Sequence, residues 1–520
     1  MRRAPVLLLL PAFLAGCGGV WSSYDVGPDG LRRHDAELRR LLAERRYERA
    51  FEQLSEAAPE DELLGLLYAG VVGYYAGEYQ GSAEALDRAA LLAEDRYTKS
   101  VSRAAASMLT SDYTIEYEPA STERLLIHYY AALDYLARDD ADGAAVEARR
   151  LSALLEQTEH EARPTPELRR VLRYFAGAVF EAAGETNDAA VAYRHAQGRP
   201  AAGLDSLDGG DSLPGTGELV LLVERGFVAH RTEQAAIIAL DGTEAHALTA
   251  GDDGRRWDVA TLLAGRVLAE LAATEPYGRH RDGTVFVDLP DDPALRFDPA
   301  CDEEVSGEVA EAGSGPSVAA GEVPAPADTI ERDRRSARAD CELDDLMPYI
   351  LKIAWPRYER SGTWPTLDVP AGHAAMLLDA SVSDAVIADF ERDRALLVAR
   401  TLARAAAKMA LTKAIEREAA ERDETLGAIA GLLGNLGGLL TERADIRCWG
   451  LLPARLSVVR LRLPAGQHSL RVGADGALRL GAAPENASPG GTGPVARSAS
   501  AAEVRIPEGG VAVAALRLWR

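Results

Sequence analysis

Histidines, cysteines and clustered carboxylates are the side chains through which a protein most often does chemistry, and in this chain they are dispersed. The nine histidines include no pair at helical metal-binding spacing and no His-x-His strand pair. There is no His-Glu-x-x-His, no Gly-x-Ser-x-Gly, no phosphate-binding loop and no dinucleotide fingerprint. The stretch "GLLGNLGG" is glycine-rich without the lysine or the preceding strand of a nucleotide site. Asp139, Asp140 and Asp142 lack the remaining ligands of a calcium loop and stand where a turn between helices belongs. Asp288, Asp291, Asp292 and Asp298 form the best acidic cluster, which Pro290 and Pro293 mark as a solvated turn. Cys301 and Cys341 could pair in an oxidising compartment and leave Cys448 free, but no two of the three have metal-ligand spacing. These residues predict no catalytic constellation, no metal and no cofactor.

The fourth cysteine, Cys17, stands in "LAGCGG" directly behind the apolar run "APVLLLLPAF". Arg2 and Arg3 supply a positive start, Val6 to Leu14 an apolar stretch, and Leu14-Ala15-Gly16 the small residues that a signal peptidase needs. A bilayer span takes about 20 apolar residues, and this run is far shorter, so a cleaved leader over residues 1–16 is expected. Leu-Ala-Gly-Cys resembles the lipobox of bacterial lipoproteins. That resemblance implies that the Cys17 thiol receives a diacylglycerol, that the leader is cut before it, and that the new amino group is acylated. Each buried methylene contributes about 0.8 kcal/mol, so two or more chains anchor a protein stably. The membrane is then a partner through Cys17, with residues 17–30 as tether. Gly18 in place of Asp favours the outer membrane, on its periplasmic side, in a Gram-negative host.

The elements behind that anchor are read from pattern. A formal charge of -24 over 520 residues argues against nucleic acid and against adhesion to anionic lipid. Between residues 31 and 200 the chain is rich in Ala, Leu, Arg and Glu at helical spacing, and one pattern recurs. It appears in "AERRYERAFEQLSEA", "YAGEYQGSAEALDRA", "LARDDADGAAVEARR" and "EAAGETNDAAVAYRH". Tyr47, Ala50 and Leu54 fill its places first, then Tyr79, Ser82 and Leu86, then Ala141, Ala144 and Ala148, then Thr186, Ala189 and Tyr193. Gly77 and Gly184 mark turns. This looks like the tetratricopeptide repeat, in which a small residue lets paired helices cross and a large one fills the gap between repeats. Such solenoids bind peptides or helices, so Tyr74, Tyr75, Tyr129 and Tyr130 are candidate partner-binding residues; packing between helices is the alternative for each.

Residues 201–216 read as a linker and 217–300 as a small mixed α/β unit. In that unit "ELVLLVERGFVAHRTEQAAIIAL" makes strands around a turn at Gly226, "WDVATLLAGRVLAELAAT" a helix and "GTVFVDLP" a strand. Residues 301–340 are acidic and rich in Gly, Ala, Pro and Ser, the composition of a disordered loop. Residues 341–450 hold a strand, "MPYILKIAWPRY", and a long helix that Ser381 and Asp384 cap. Along that helix Arg400, Arg404 and Lys408 form a basic line, open to an acidic partner or to the protein's own carboxylates. The uncharged "LGAIAGLLGNLGGLL" after it is short for a span and suits core packing. Residues 451–520 place Pro-x-Gly turns, Pro464 to Gly466 and Pro507 to Gly509, between strand patterns, in a small β-unit that resembles the sandwich modules of bacterial envelope proteins.

Taken in order, the lipobox, the repeats with "HYYAALDYLARDDADGAAVEARRL", "GELVLLVERG", "ADFERDRALLVARTLARAAAKMALTKA" and "ADIRCWGLLPARLSVVRLRLPAGQHSLRV" resemble one family. It is a family of bacterial envelope lipoproteins with tetratricopeptide-like N-terminal halves. The resemblance implies an address and an architecture, and it brings no catalytic residues. The expected fold is α+β: a helical solenoid, a mixed α/β region with a long helix, and a C-terminal β-unit. The expected function is a lipid-anchored scaffold whose repeats bind one or more proteins of cell-wall or envelope assembly. An envelope hydrolase or glycan-binding module in the C-terminal half is the second function class.

Overall fold

The computed structural model describes residues 28–56, 61–103, 116–159, 163–197, 214–240, 284–288, 349–364, 366–370, 374–423, 443–473, 475–482 and 501–519. Cys17, Cys301, Cys341, Asp291, Asp292, Asp298, the helix expected at "WDVATLLAGRVLAELAAT" and the apolar "LGAIAGLLGNLGGLL" lie outside these residues. The fold is α+β.

Among the described residues, eight helices come first, as four hairpins. They are α1 (Pro28–Ala43) with α2 (Tyr47–Glu56), α3 (Glu62–Ala76) with α4 (Tyr79–Arg103), α5 (Ser121–Ala137) with α6 (Ala141–Glu159), and α7 (Pro166–Ala182) with α8 (Thr186–Gln197). Their turns share one geometry. Arg45, Gly77, Asp139 and Gly184 each adopt a left-handed conformation, with φ of 60°, 84°, 58° and 77°. In every case the next N–H donates to the carbonyl five residues back: Arg46 to Leu41 at 2.8 Å, Glu78 to Gly73 at 2.9 Å, Asp140 to Tyr135 at 2.9 Å and Glu185 to Phe180 at 2.8 Å. This closure satisfies carbonyls that the ending helix leaves without partners.

Counted from each turn residue, the fifth position is small and buried in all four hairpins: Ala50, Ser82, Ala144 and Ala189. The ninth is Leu54, Leu86, Ala148 or Tyr193, and these are buried too. Opposite Leu86 and Tyr193, a glycine in the facing helix makes room. A Cβ on Gly70 would fall 2.5 Å from Leu86, and one on Gly177 would fall 2.7 Å from Tyr193. Tyr47 and Tyr79 open the second helices of their hairpins. The expected repeat positions therefore occupy equivalent places in the backbone.

The strands are β1 (Thr216–Arg225), β2 (His230–Leu240), β3 (Thr284–Asp288), β4 (Tyr349–Glu359), β5 (Ala374–Ser381), β6 (Arg455–Pro464), β7 (Gly466–Val472), β8 (Leu478–Ala482), β9 (Ala501–Ile506) and β10 (Val511–Leu518), with α9 (Val382–Ala420) between β5 and β6. Among the described residues they form three sheets, ordered β10-β1-β6-β5, β3-β2-β4 and β8-β7-β9. β1 lies at the centre of the first, parallel to β10 and antiparallel to β6. Two sequence expectations change here. β1 and β2 flank the Gly226 turn as foreseen but enter different sheets. β6 and β10 do not close a separate C-terminal unit, since both complete the sheet that β1 begins.

Burial on both faces of that sheet explains its composition. Leu219, Leu221 and Val223 of β1 join Val459, Leu461, Ala512, Ala514 and Leu516 in a core shared with the small β8-β7-β9 sheet. The alternate residues Val220, Leu222, Val458, Val513 and Ala515 join the core of the helical hairpins. Period-two alternation thus sends one face of each strand to each layer, giving helices, central sheet and small sheet as three layers. α9 starts where Ser381 Oγ accepts from the Asp384 N–H at 3.0 Å, as its capping pair predicts. Its Asp389 accepts from the Thr122 N–H and hydroxyl at 3.0 and 2.8 Å, which fastens it to the start of α5.

Candidate functional site

The tyrosines singled out from the sequence converge, and what they meet belongs to the same chain. Tyr74 and Tyr75 lie at the end of α3, Tyr129 and Tyr130 in the middle of α5. Tyr74 and Tyr130 rings meet edge to face at 5.4 Å, and Tyr129 and Tyr130 at 5.1 Å. The hydroxyls of Tyr75 and Tyr129 donate to the Glu224 carboxylate of β1, the latter at 3.1 Å. Arg517 of β10 donates to the Tyr75 and Tyr130 hydroxyls at 3.0 and 3.3 Å, and to the carbonyls of Gly226 and Leu451 at 2.6 and 3.1 Å. It stands 3.7 Å from Glu224. Trp519 packs on Tyr75 at 4.7 Å, with the Arg517 guanidinium over its ring.

Glu224, Arg517, Tyr129 and Tyr130 are fully buried, Tyr74 nearly so, and Tyr75 is half-buried. Burial pushes the phenols of Tyr74, Tyr75, Tyr129 and Tyr130 well above their ordinary pKa, and the Glu224 charge adds to it. Burial also works against the Arg517 charge, but Tyr75, Tyr130 and Glu224 more than offset it, so the guanidinium stays protonated. The arrangement is a buried ion pair whose carboxylate accepts from two phenols, Tyr75 and Tyr129, while Arg517 Nε is buried without a hydrogen-bond partner. Such a cluster holds two layers together; it offers no open face to an outside partner, and the tyrosines expected to bind one are occupied by the protein's own sheet.

A second clamp repeats this chemistry at the last hairpin. Arg460 of β6 donates to both Glu181 oxygens at 3.0 and 2.9 Å, to the Tyr193 hydroxyl at 3.1 Å and to Glu218 of β1 at 2.5 Å. Burial disfavours its charge, and Glu181 and its other partners restore it. At the opposite end, Glu123 of α5 accepts from the Tyr117 hydroxyl at 2.6 Å and from the Trp449 N–H at 2.8 Å. Tyr68 of α3 donates to Asp35 of α1 and stands 3.2 Å from the Cys448 carbonyl. Cys448 is a buried free thiol that burial raises to about 12, so it is inert rather than nucleophilic.

The basic line of α9 is not an exposed stripe either. Arg404 is fully buried, and Arg400 and Lys408 are half-buried. Asp288 closes β3. Among the described residues, no group of three or more His, Cys, Asp or Glu could hold a metal ion, and no helix is long and apolar enough to cross a membrane.

Sequence reasoning missed Glu218, Glu224, Arg460 and Arg517. The signal was present: "GELVLLVERG", "RLSVVRLRL" and "VAVAALRLW" are strands apolar in both phases, hence buried on both faces. A charge inside such a strand requires a buried partner. Comparison with protein-family models, with curated proteins and with solved structures finds no match.

Proposed function

We propose that this protein is a lipid-anchored interaction scaffold of the bacterial envelope, tethered through Cys17 to the outer membrane and facing the periplasm. The observation that carries the scaffold reading is the fourfold hairpin geometry: one turn conformation, one small crossing residue and one gap-filling residue, repeated from Arg45 to Tyr193. That recurrence supports a tetratricopeptide-like solenoid, an architecture built to present an extended surface. Scaffold function rests on this fold-level analogy, and the address rests on the lipobox-like "LAGC".

The partner surface belongs on the outer helices, because the tyrosine face is filled. Val146 of α6 and Val191 of α8 stand at equivalent repeat positions, each 44% exposed, and Leu91 of α4 is 75% exposed. A protein of the cell-wall or envelope-assembly machinery is the partner class this location implies. The test compares wild type with Cys17→Ser in cells, following incorporation of a labelled fatty acid and capture of partners by crosslinking. Labelling lost in Cys17→Ser, with a defined protein recovered from wild type, supports the proposal. Labelling retained in Cys17→Ser refutes the anchor, and an empty capture from wild type refutes the scaffold.

A further inference from the structure

Where α3, α4 and α5 meet, the hydrogens do not add up if every group holds its ordinary charge. Ser82 Oγ on α4 lies 2.7 Å from the Gly70 carbonyl oxygen of α3 and 2.6 Å from Asp134 Oδ2 of α5. A hydroxyl has one hydrogen to give, and a carbonyl can only accept. With Asp134 ionised, one of these two short contacts would set lone pair against lone pair. The other carboxylate oxygen, Asp134 Oδ1, is buried with no hydrogen-bond partner, so a charge there would have nothing to answer it. We propose that the folded protein carries Asp134 as the neutral carboxylic acid, Oδ2–H donating to Ser82 Oγ while Ser82 donates to Gly70, as a pH-sensitive latch between the second and third hairpins.

The surroundings favour the neutral form. Asp134 is fully buried. Burial drives its carboxyl well above the usual carboxylate range against the opposing pull of Ser82 and Arg138. Tyr74 faces it from α3 as a neutral phenol, and Arg138 is exposed at the end of its own helix. On α4, Asp87 accepts from the Tyr135 hydroxyl at 3.3 Å and from Arg150 of α6 at 3.2 Å. Glu147 of α6 is engaged by His128 and Arg150, at 2.8 and 2.6 Å, and Asp389 of α9 by Thr122. At about 100° per residue, His128 and Thr122 lie roughly a third of a turn from Asp134, on opposite sides of α5. Ionisation sends the proton to solvent. It leaves Ser82 to abandon Gly70 or to face the carboxylate, where α3 and α4 pack tightly; a Cβ on Gly73 would lie 3.1 Å from Ser82 Cβ.

A carboxyl whose folded pKa lies above its unfolded value keeps its proton longer in the folded state. Stability from this site is therefore complete below about pH 4 and falls as pH rises toward the folded pKa. The test is denaturant unfolding of the full chain, wild type beside Asp134→Asn, across that range. Asparagine keeps the donor to Ser82 and cannot ionise. The ratio of the wild-type unfolding constant to that of the variant should climb up to about tenfold per pH unit above pH 4, then level off. A ratio flat with pH overturns the proposal. If Asp134→Asn does not fold, infrared spectra of wild type with 13C-labelled aspartate decide. A protonated-acid carbonyl band that persists in Asp389→Asn at pH 5, above the ordinary aspartate range, is expected, and absence of that band overturns the latch.

Discussion

Glu224 and Arg517 decide how the two halves of this molecule meet, and neither is remarkable as an isolated residue. In a buried pair, removing one partner strands the other charge in a medium that cannot solvate it, at a cost of about 3–5 kcal/mol. Arg517→Leu should lower stability by about that amount, and Glu224→Gln by less, since the amide still accepts from Tyr129. The double change Glu224→Leu/Arg517→Leu should recover part of the loss, because no unpaired charge remains; chemical denaturation of the four proteins measures this. Asp61 makes a pH-dependent contribution of opposite sign to that of Asp134. Burial raises its carboxyl, but Arg96 at 2.8 Å and the N–H groups of Tyr117 and Leu64 prevail, so its pKa is lowered. Its stabilisation is full above about pH 4 and lost as pH falls through the folded pKa. Asp61→Asn should therefore cost most at neutral pH and progressively less in acid, which unfolding at pH 3 and pH 7 would show. The tyrosines were legible in the sequence by composition alone. Their partners were not, because Glu224 and Arg517 are separated by more than half of the chain, and nothing local says which charge answers which.

Turns and crossings carry the information at the scale of elements. Gly77, at φ 84° with nothing within 4 Å of a Cβ built there, tests backbone conformation without steric clash. Gly77→Ala should cost about 1 kcal/mol. Gly177→Ala tests packing instead, since its methyl would press on the Tyr193 ring at 2.7 Å. It should cost more than Gly77→Ala, about 1–3 kcal/mol, and thermal melts of the two variants should rank them so. Hairpin order, the small crossing residues and the long capped helix α9 could all be read beforehand, because each leaves a periodic or capping signature within a few residues. The roles of Gly70 and Gly177 could not, since a glycine inside a helix reads as a weak point until the opposing Leu86 or Tyr193 is seen. Sheet membership was hidden for a related reason. Alternation announces a strand but not its neighbour, so β10 beside β1, and β6 between β1 and β5, had no local sign.

Across the whole molecule the hairpins and the central sheet share one core. Leu38, Tyr129 and Phe175 from the helices lie in the same cluster as Val220, Val458 and Val513 from the sheet and Val386 from α9. Residues on both sides of the boundaries expected near residues 201–216 and 451 thus pack in one core. A chain lacking residues 28–197 should fail to fold, since Glu224 and Arg517 would lose Tyr75, Tyr129 and Tyr130, Arg460 would lose Glu181 and Tyr193, and the sheet would lose the helical side of its core; circular dichroism of that fragment would report it. For the same reason, deletion of the repeats is a poor probe of partner binding, and single substitutions on the surface are better. With the tyrosine face closed by the protein's own strands, the proposed scaffold would meet its partner on the outer helices. The decisive measurement places a photo-crosslinking amino acid in living cells at Val146, at Val191 and, separately, at Tyr75. Crosslinks to a second protein from 146 and 191, with only intrachain products from 75, are the predicted result. A second protein captured at 75 and none at 146 or 191 would contradict it, showing that the hairpins open and bind through the face the sheet now fills.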